Sequence, residues 1–371
     1  MRNIFFLCKT TNIKIALLLL TLSCAHLEVA IAKTDQTQRT YTYESEKTDD
    51  IDESEQVENE YAEKYTTNEL DIVFHNRINQ KIGPSAITWK ANGGRFGDNL
   101  VSYSKAKWMS LTFDIPLLYL PFPYSDELMI HENEEMYTLE RHEQFAATVQ
   151  LLKKPSYVIS KNNNTLYVCR WKTDIVIDWC DQNFVAEIKK HIAPRYELEK
   201  VIIPEGYVSI AAHVRNGGTF AADTPEEKER CPLRFVPEEF FIDQIERLTL
   251  MFPEDNLYVY IFTDHPEPEK LACKFKKALN NPRITFDYRK SGNSHKSNVL
   301  EDFFSMMDFD CLIRPGSHFS RFVQRLGNNK VVIYPESVKE IAPGKRVIDT
   351  IKIKTRTNVD EKWKTQDITI A

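Results

Sequence analysis

Polar and apolar positions divide the chain into four regimes. An apolar run over 15–25 is followed by a polar leader, 33–67, with almost no aliphatic residues. Between 85 and 193, short apolar runs at 85–90, 115–122, 156–159, 166–171 and 175–179 read as strands. The stretches 100–112 and 181–193 have helical periodicity, and 123–155 carries no assignable pattern. From 207 the pattern is regular: strands at 207–214, 257–262, 284–288, 311–313 and 331–334 alternate with helices at 237–251, 268–279, 298–307 and 317–326. That alternation predicts a parallel, doubly wound sheet. Residues 337–371 read as a basic, polar tail with one apolar, hairpin-like segment, 347–353.

Length and composition fit this picture. At 371 residues and 42% hydrophobic, the chain can bury two α/β units, expected at 68–205 and 206–336. The net charge of −6 is uneven: between Glu44 and Glu63 ten acids face one base, Lys47, so the rest carries about +3. A field that weak does not favour a nucleic acid as partner. The leader cannot bury enough surface to offset its ordering and reads as a disordered acidic stalk. Ahead of it, Arg2, Lys9, Lys14, the apolar run and Ala30-Ile31-Ala32 form a secretory signal peptide over 1–32, implying a secreted or exported protein. The alternative is an uncleaved membrane anchor with the folded part on the lumenal or outer side, against which His26 and Glu28 stand. The sequon Asn163-Asn164-Thr165 has meaning only in a eukaryotic secretory route. None of the seven cysteines forms a C-x-x-C pair, so zinc and thioredoxin chemistry is not indicated. Cys169 and Cys180 either bridge or are buried small hydrophobes, and Cys273 and Cys311 read as buried.

Candidate chemistry collects at strand ends. The first strand of the regular region runs into His213-Val214-Arg215-Asn216-Gly217-Gly218. The next ends in Thr263-Asp264-His265, and a third leads to Arg314, Gly316, Ser317 and His318. In an open α/β sheet such ends converge on the ligand edge. Arg215 or Arg314 can grip a phosphate with a planar fork. Ser317 and the helix start behind Gly316 can hold another phosphate oxygen. Asp302, among apolar neighbours, reads either as a surface cap or as an acceptor for a base. Asp308-Phe309-Asp310 precedes a strand and reads as turn chemistry. In the first half, Gly93, Gly94 and Gly97 form a tight turn before a helix that Asp98 or Asn99 would cap. Its backbone N–H groups could receive an anion or a sugar, or the glycines could be purely structural. A nucleoside diphosphate bound without a metal fits this set, and no Walker loop or G-x-S-x-G is present.

His213-Val214-Arg215 resembles the His-Val-Arg-Arg-x-Asp motif of the fucosyltransferase superfamily that makes α1,2-, α1,6- and protein O-fucose links, with Asn216 and Gly218 at the second Arg and the Asp. The turn 93–100 is similar to that superfamily's Gly-x-Gly-Asn-Gln-Leu turn, and Asp302, Asp310 and Ser317 follow the spacing of its last motif. The resemblance spans about 88–335. It implies a GT-B-like fold, two Rossmann-like domains with a cleft between them, and inverting, metal-independent transfer from GDP-fucose to a glycan or protein hydroxyl. It also assigns roles. Arg215 would neutralise the β-phosphate, Ser317 would bind the diphosphate and Asp302 would contact guanine. Asp223 would be the catalytic base, and His213 would act in catalysis or orient the loop. Gly94, Gly97, Asn99, Asp264 and His318 complete the expected donor site. No metal and no cofactor beyond the donor is implied. The alternative is an exported carbohydrate-binding or effector protein on the same scaffold, without transfer.

Overall fold

The computed structural model describes residues 42–44, 84–91, 94–151, 159, 161–170, 175–216, 231–294, 296–342, 345–358 and 362–370. The expected signal segment, most of the stalk, most of the strand expected at 156–159, Gly93, Gly217, Gly218 and Asp223 lie outside them. Among the described residues no helix is long and apolar enough to cross a membrane.

The second half is built on an eight-stranded sheet. Its parallel strands are β7 (Tyr207–Val214), β8 (Asn256–Thr263), β9 (Ile284–Tyr288), β10 (Cys311–Ile313) and the start of β11 (Val331–Ala342). They lie in the order β11-β10-β7-β8-β9, so the chain winds outward from β7 first one way and then the other. Helices α5 (Glu238–Met251), α6 (Pro268–Leu279), α7 (Val299–Met306) and α8 (His318–Leu326) make the crossovers. β7, β8 and β10, buried on both faces, read as continuous apolar runs, so their positions matched the pattern closely.

The expected tail is not one. Residues 331–342 and 345–355 pair as a long antiparallel hairpin, β11 with β12 (Lys345–Thr355), and β13 (Lys364–Thr369) extends it. β1 (Thr42–Glu44), three residues of the expected disordered stalk, pairs with 345–347 of β12, on the edge that β13 also joins. Val338, Ile348, Ile351, Ile353 and Ile368 bury one face of this extension.

The first half carries a small parallel sheet of β2 (Ala86–Trp89), β6 (Thr165–Cys169) and β5 (Ala147–Leu151). A short pair, β3 (Leu118–Tyr119) with β4 (Glu135–Met136), lies beside it. The expected strand at 115–122 shortens to β3, and 175–179 is irregular rather than a strand. The unassigned stretch holds α2 (Ile130–Asn133) and α3 (Leu139–Glu143). Helix α1 (Phe96–Phe113) begins earlier than expected, with Arg95 rather than Asp98 or Asn99 as its N-cap. Helix α4 (Gln182–Ile192) is capped by Asp181, whose Oδ1 accepts from the backbone of Asn183 and Phe184. All five cysteines among the described residues are free, so Cys169 and Cys180 do not bridge, and Cys273 is exposed rather than buried.

The chain adopts the expected α/β class with parallel sheets, and its two halves share one core. Phe96 of α1 meets Phe303 of α7 and Phe319 of α8 at ring distances of 5.3 and 6.3 Å. Trp179 meets Phe322 at 5.4 Å. The segment between the halves is pinned to the second half: Lys200 pairs with Asp308 at 2.9 Å, and Val201 N–H donates to Ser305 Oγ at 3.0 Å.

Candidate functional site

The two-way winding leaves a switch point between β7 and β10, where crossovers depart in opposite directions. Side chains alternate along a strand, and this sets what faces that gap. Ala211, Tyr260, Phe262 and Leu312 face the shared core, while Ile210, Ala212, Ile261 and Ile313 face the other side. Continuing the same alternation, His213, Arg215, Asp264 and Arg314 emerge at the carboxyl edge on the shared-core face. The register pairs Val214 with Thr263 and Ala212 with Ile313. One step further, Asp264 flanks Arg215 and Arg314 flanks His213.

These four do different things. Arg314 is 3% exposed and already holds protein partners. Its Nε donates to Gln324 Oε1 at 2.8 Å, its Nη1 donates to Pro315 O at 3.0 Å, and its guanidinium stacks 4.0 Å from the Tyr334 ring centre. Burial and the neighbouring Arg321 bring its pKa down to about 9. It is a structural strut, so of the two candidate phosphate grips only Arg215 remains available. Arg215 rests 5.6 Å over the Phe235 ring, and its Nε is buried without a hydrogen-bond partner. The ring of His213 packs against Phe319 at 5.6 Å, and its Nδ1 is likewise buried and unpartnered. Burial lowers its pKa to about 4; Asp264 opposes that shift, and Arg95 and Arg314 reinforce it. His213 is therefore a neutral imidazole at pH 7. Asp264 Oδ1 accepts from Asn216 N–H at 2.6 Å, shaping the turn after β7.

The first half reaches this edge through the turn before α1. Arg95 lies close enough to His213 to act on its charge. Asn99 is spent inside that turn, its Nδ2 donating to Gly94 O at 2.6 Å and Arg95 O at 3.2 Å. Gly97 lets two helices touch, because a Cβ there would lie 2.5 Å from Phe319 N and 2.8 Å from its Cα. Beside that contact His318 Nδ1 and Asp98 Oδ1 are 2.8 Å apart, which ties α1 to α8. Ser317 is the N-cap of α8, makes no side-chain cap bond, and is 4% exposed. Above it Gly316 N–H donates to Leu233 O at 2.6 Å, so the segment around 233 folds over the end of β10.

Asp302 stands at the same edge, in the first turn of α7, paired with Arg289 beyond the end of β9 (Oδ1 to Nη2, 2.5 Å). Burial raises its pKa to about 6, although Arg289 opposes the shift. Asp310 lies at the other end of β10. It accepts from Ser209 N–H and Oγ at 3.1 and 2.8 Å and pairs with Lys330 at 3.0 Å, a joint far from the switch point. Arg95 and Arg289 were not singled out from the sequence. Both carried a usable signal: the first sits in the Gly-rich turn, and the second follows a predicted strand.

No family model matches the chain, and no curated protein does. In overall shape it is similar to solved fucosyltransferases. NodZ α-1,6-fucosyltransferase soaked with GDP-fucose is 14% identical with a TM-score of 0.40, over 68% of this chain and 94% of that one. Fucosyltransferase NodZ from Bradyrhizobium is 15% identical with a TM-score of 0.41, over 69% and 96%. A mutant of Arabidopsis thaliana FUT1 in complex with GDP is 14% identical with a TM-score of 0.46, over 75% and 76%.

Proposed function

We propose that the chain is a glycosyltransferase that takes its donor as a nucleoside diphosphate sugar at this switch point. One observation carries the reading: His213 and Arg215, two residues apart on one face of β7 and its continuation, each hold a buried nitrogen with no partner at the carboxyl edge. An unpaired buried donor costs about 1–3 kcal/mol and persists where something else supplies the partner. A diphosphate offers oxygens and negative charge to the guanidinium, and a neutral His213 offers a hydrogen bond without adding charge.

The finer reading rests on the motif resemblance. The donor is GDP-fucose or a related GDP-sugar, and the acceptor is a glycan or protein hydroxyl. Arg215 and Ser317 hold the diphosphate, Asp302 reads the base, and Asp223 takes the acceptor proton. The acceptor oxygen then attacks the anomeric carbon opposite the leaving diphosphate. That carbon's bond to the phosphate oxygen breaks, its configuration inverts, and Arg215 stabilises the charge gathering on the β-phosphate. Neutralisation by Arg215 in place of a metal predicts transfer that survives a chelator. The signal segment and stalk would present this site on the exported side of a membrane. The test is a transfer assay with labelled GDP-fucose and glycan acceptors. Asp223→Asn is expected to retain GDP binding and lose turnover, and full turnover in that variant would remove Asp223 as the base.

A further inference from the structure

The Asp302–Arg289 pair has a property that neither residue has alone. The Asp302 carboxylate offers two acceptor oxygens, and Arg289 Nη2 lies 2.5 Å from one of them. The pair thus offers two acceptors with a donor beside them. Guanine presents the complement on its Watson–Crick edge: the N2 amine and the N1–H donate, and O6 accepts. Adenine matches at no position, and uracil fails where guanine carries its N2 amine, because its O2 would set an acceptor against a carboxylate oxygen. The pair also has donor capacity to spare, because Arg289 Nε is buried with no hydrogen-bond partner. The two side chains keep 19% and 21% of their surface open, so the edge is reachable.

Position supports the same conclusion. Phe303, next to Asp302, packs on Phe319 at 5.3 Å, and Phe319 packs on His213 at 5.6 Å. Arg289 follows β9, two strands from β7, roughly 10 Å across at about 4.8 Å per strand. A base on this pair and a diphosphate at Arg215 fit one extended nucleotide. We propose that Arg289 is a specificity-determining residue: it donates to O6 of a guanine whose N1–H and N2–H are held by Asp302, so the pair selects guanine as a unit. This inference rests on the nucleotide-binding reading above and adds a base-reading role for Arg289.

The test is calorimetric titration of the full chain with GDP, inosine diphosphate, 6-thioguanosine diphosphate, ADP and UDP. The inosine compound lacks only the N2 amine, and the thio compound replaces only O6 with a weak acceptor. The wild type is expected to bind GDP best, each single-atom analogue about tenfold more weakly, and ADP and UDP least. Arg289→Met is expected to bind GDP and the thio analogue equally while keeping the penalty for the inosine compound. Arg289→Lys, which keeps the charge beside Asp302, guards against misfolding and is expected to give the same loss of O6 discrimination in part. If Arg289→Met keeps the wild-type ratio of GDP to its thio analogue, or if all five diphosphates bind equally through Arg215, the inference falls and the nucleotide site stands. If no diphosphate binds, both fall.

Discussion

His213 gives the site a measurable pH signature. Folding holds its pKa near 4, mainly through burial, against an ordinary value of 6.5. Between those values the unfolded chain takes up a proton that the folded chain refuses. A depressed histidine pKa therefore leaves stability complete above pH 6.5 and removes it as the pH falls towards 4. At pH 4.5 the linkage relation gives a loss of about 2.5 kcal/mol relative to pH 7.5, since each pKa unit is worth about 1.4 kcal/mol. Replacing the titrating ring with a neutral group of similar reach, His213→Asn, should remove that share of the acid sensitivity. Urea unfolding of both proteins at pH 7.5 and 4.5 measures it. The wild type should lose about 2.5 kcal/mol more than the variant between the two conditions. Parallel losses would refute the buried neutral imidazole, and with it the claim that β7 ends in a desolvated site.

Three further outcomes follow from packing. Gly97→Ala forces its Cβ against the Phe319 backbone, so α1 and α8 must separate; a loss of about 1–3 kcal/mol in urea unfolding is expected. Arg314→Met breaks the bonds to Gln324 and Pro315 and should cost about 2–4 kcal/mol, whereas Arg215→Met, which removes an unsatisfied donor, should change stability by less than about 1 kcal/mol. An equal cost in the two would contradict the division of roles between these arginines. In native protein a thiol reagent should label exposed Cys180 and Cys273 quickly and spare Cys169, whose thiol burial pushes up to about 12, and Cys311, which burial also raises. Mass mapping of the labelled peptides checks this.

How much was legible depended on the kind of element. The strands at 207–214 and 311–313 matched because a strand buried on both faces has no polar face to blur its ends. The first half was harder. Its strands run two to five residues, too short for a period to show, and α1 starts at Phe96 behind Arg95, without a side-chain cap to mark it. Only 347–353 of the hairpin after Val331 read as hairpin-like, and its full length was missed because Pro335 stands where a strand would be expected to stop. At the site, the convergence of His213, Arg215, Asp264 and Arg314 was readable from strand order. The difference between Arg215 and Arg314 was not. Both follow an apolar strand, and only the positions of Gln324 and Tyr334 show which guanidinium is already engaged. The pairing of Asp302 with Arg289 depends on a contact across thirteen residues and on the burial around it, neither of which a local pattern encodes.

Everything proposed for the site depends on the edge beside β7 binding a nucleoside diphosphate through Arg215. Titrating GDP into the full chain and into Arg215→Ala by calorimetry addresses this directly. Binding to the wild type is expected, with a loss of about 30-fold or more in the variant, the roughly 2 kcal/mol expected for a charged contact. Binding of equal strength in both proteins, or no binding in the wild type, would contradict it.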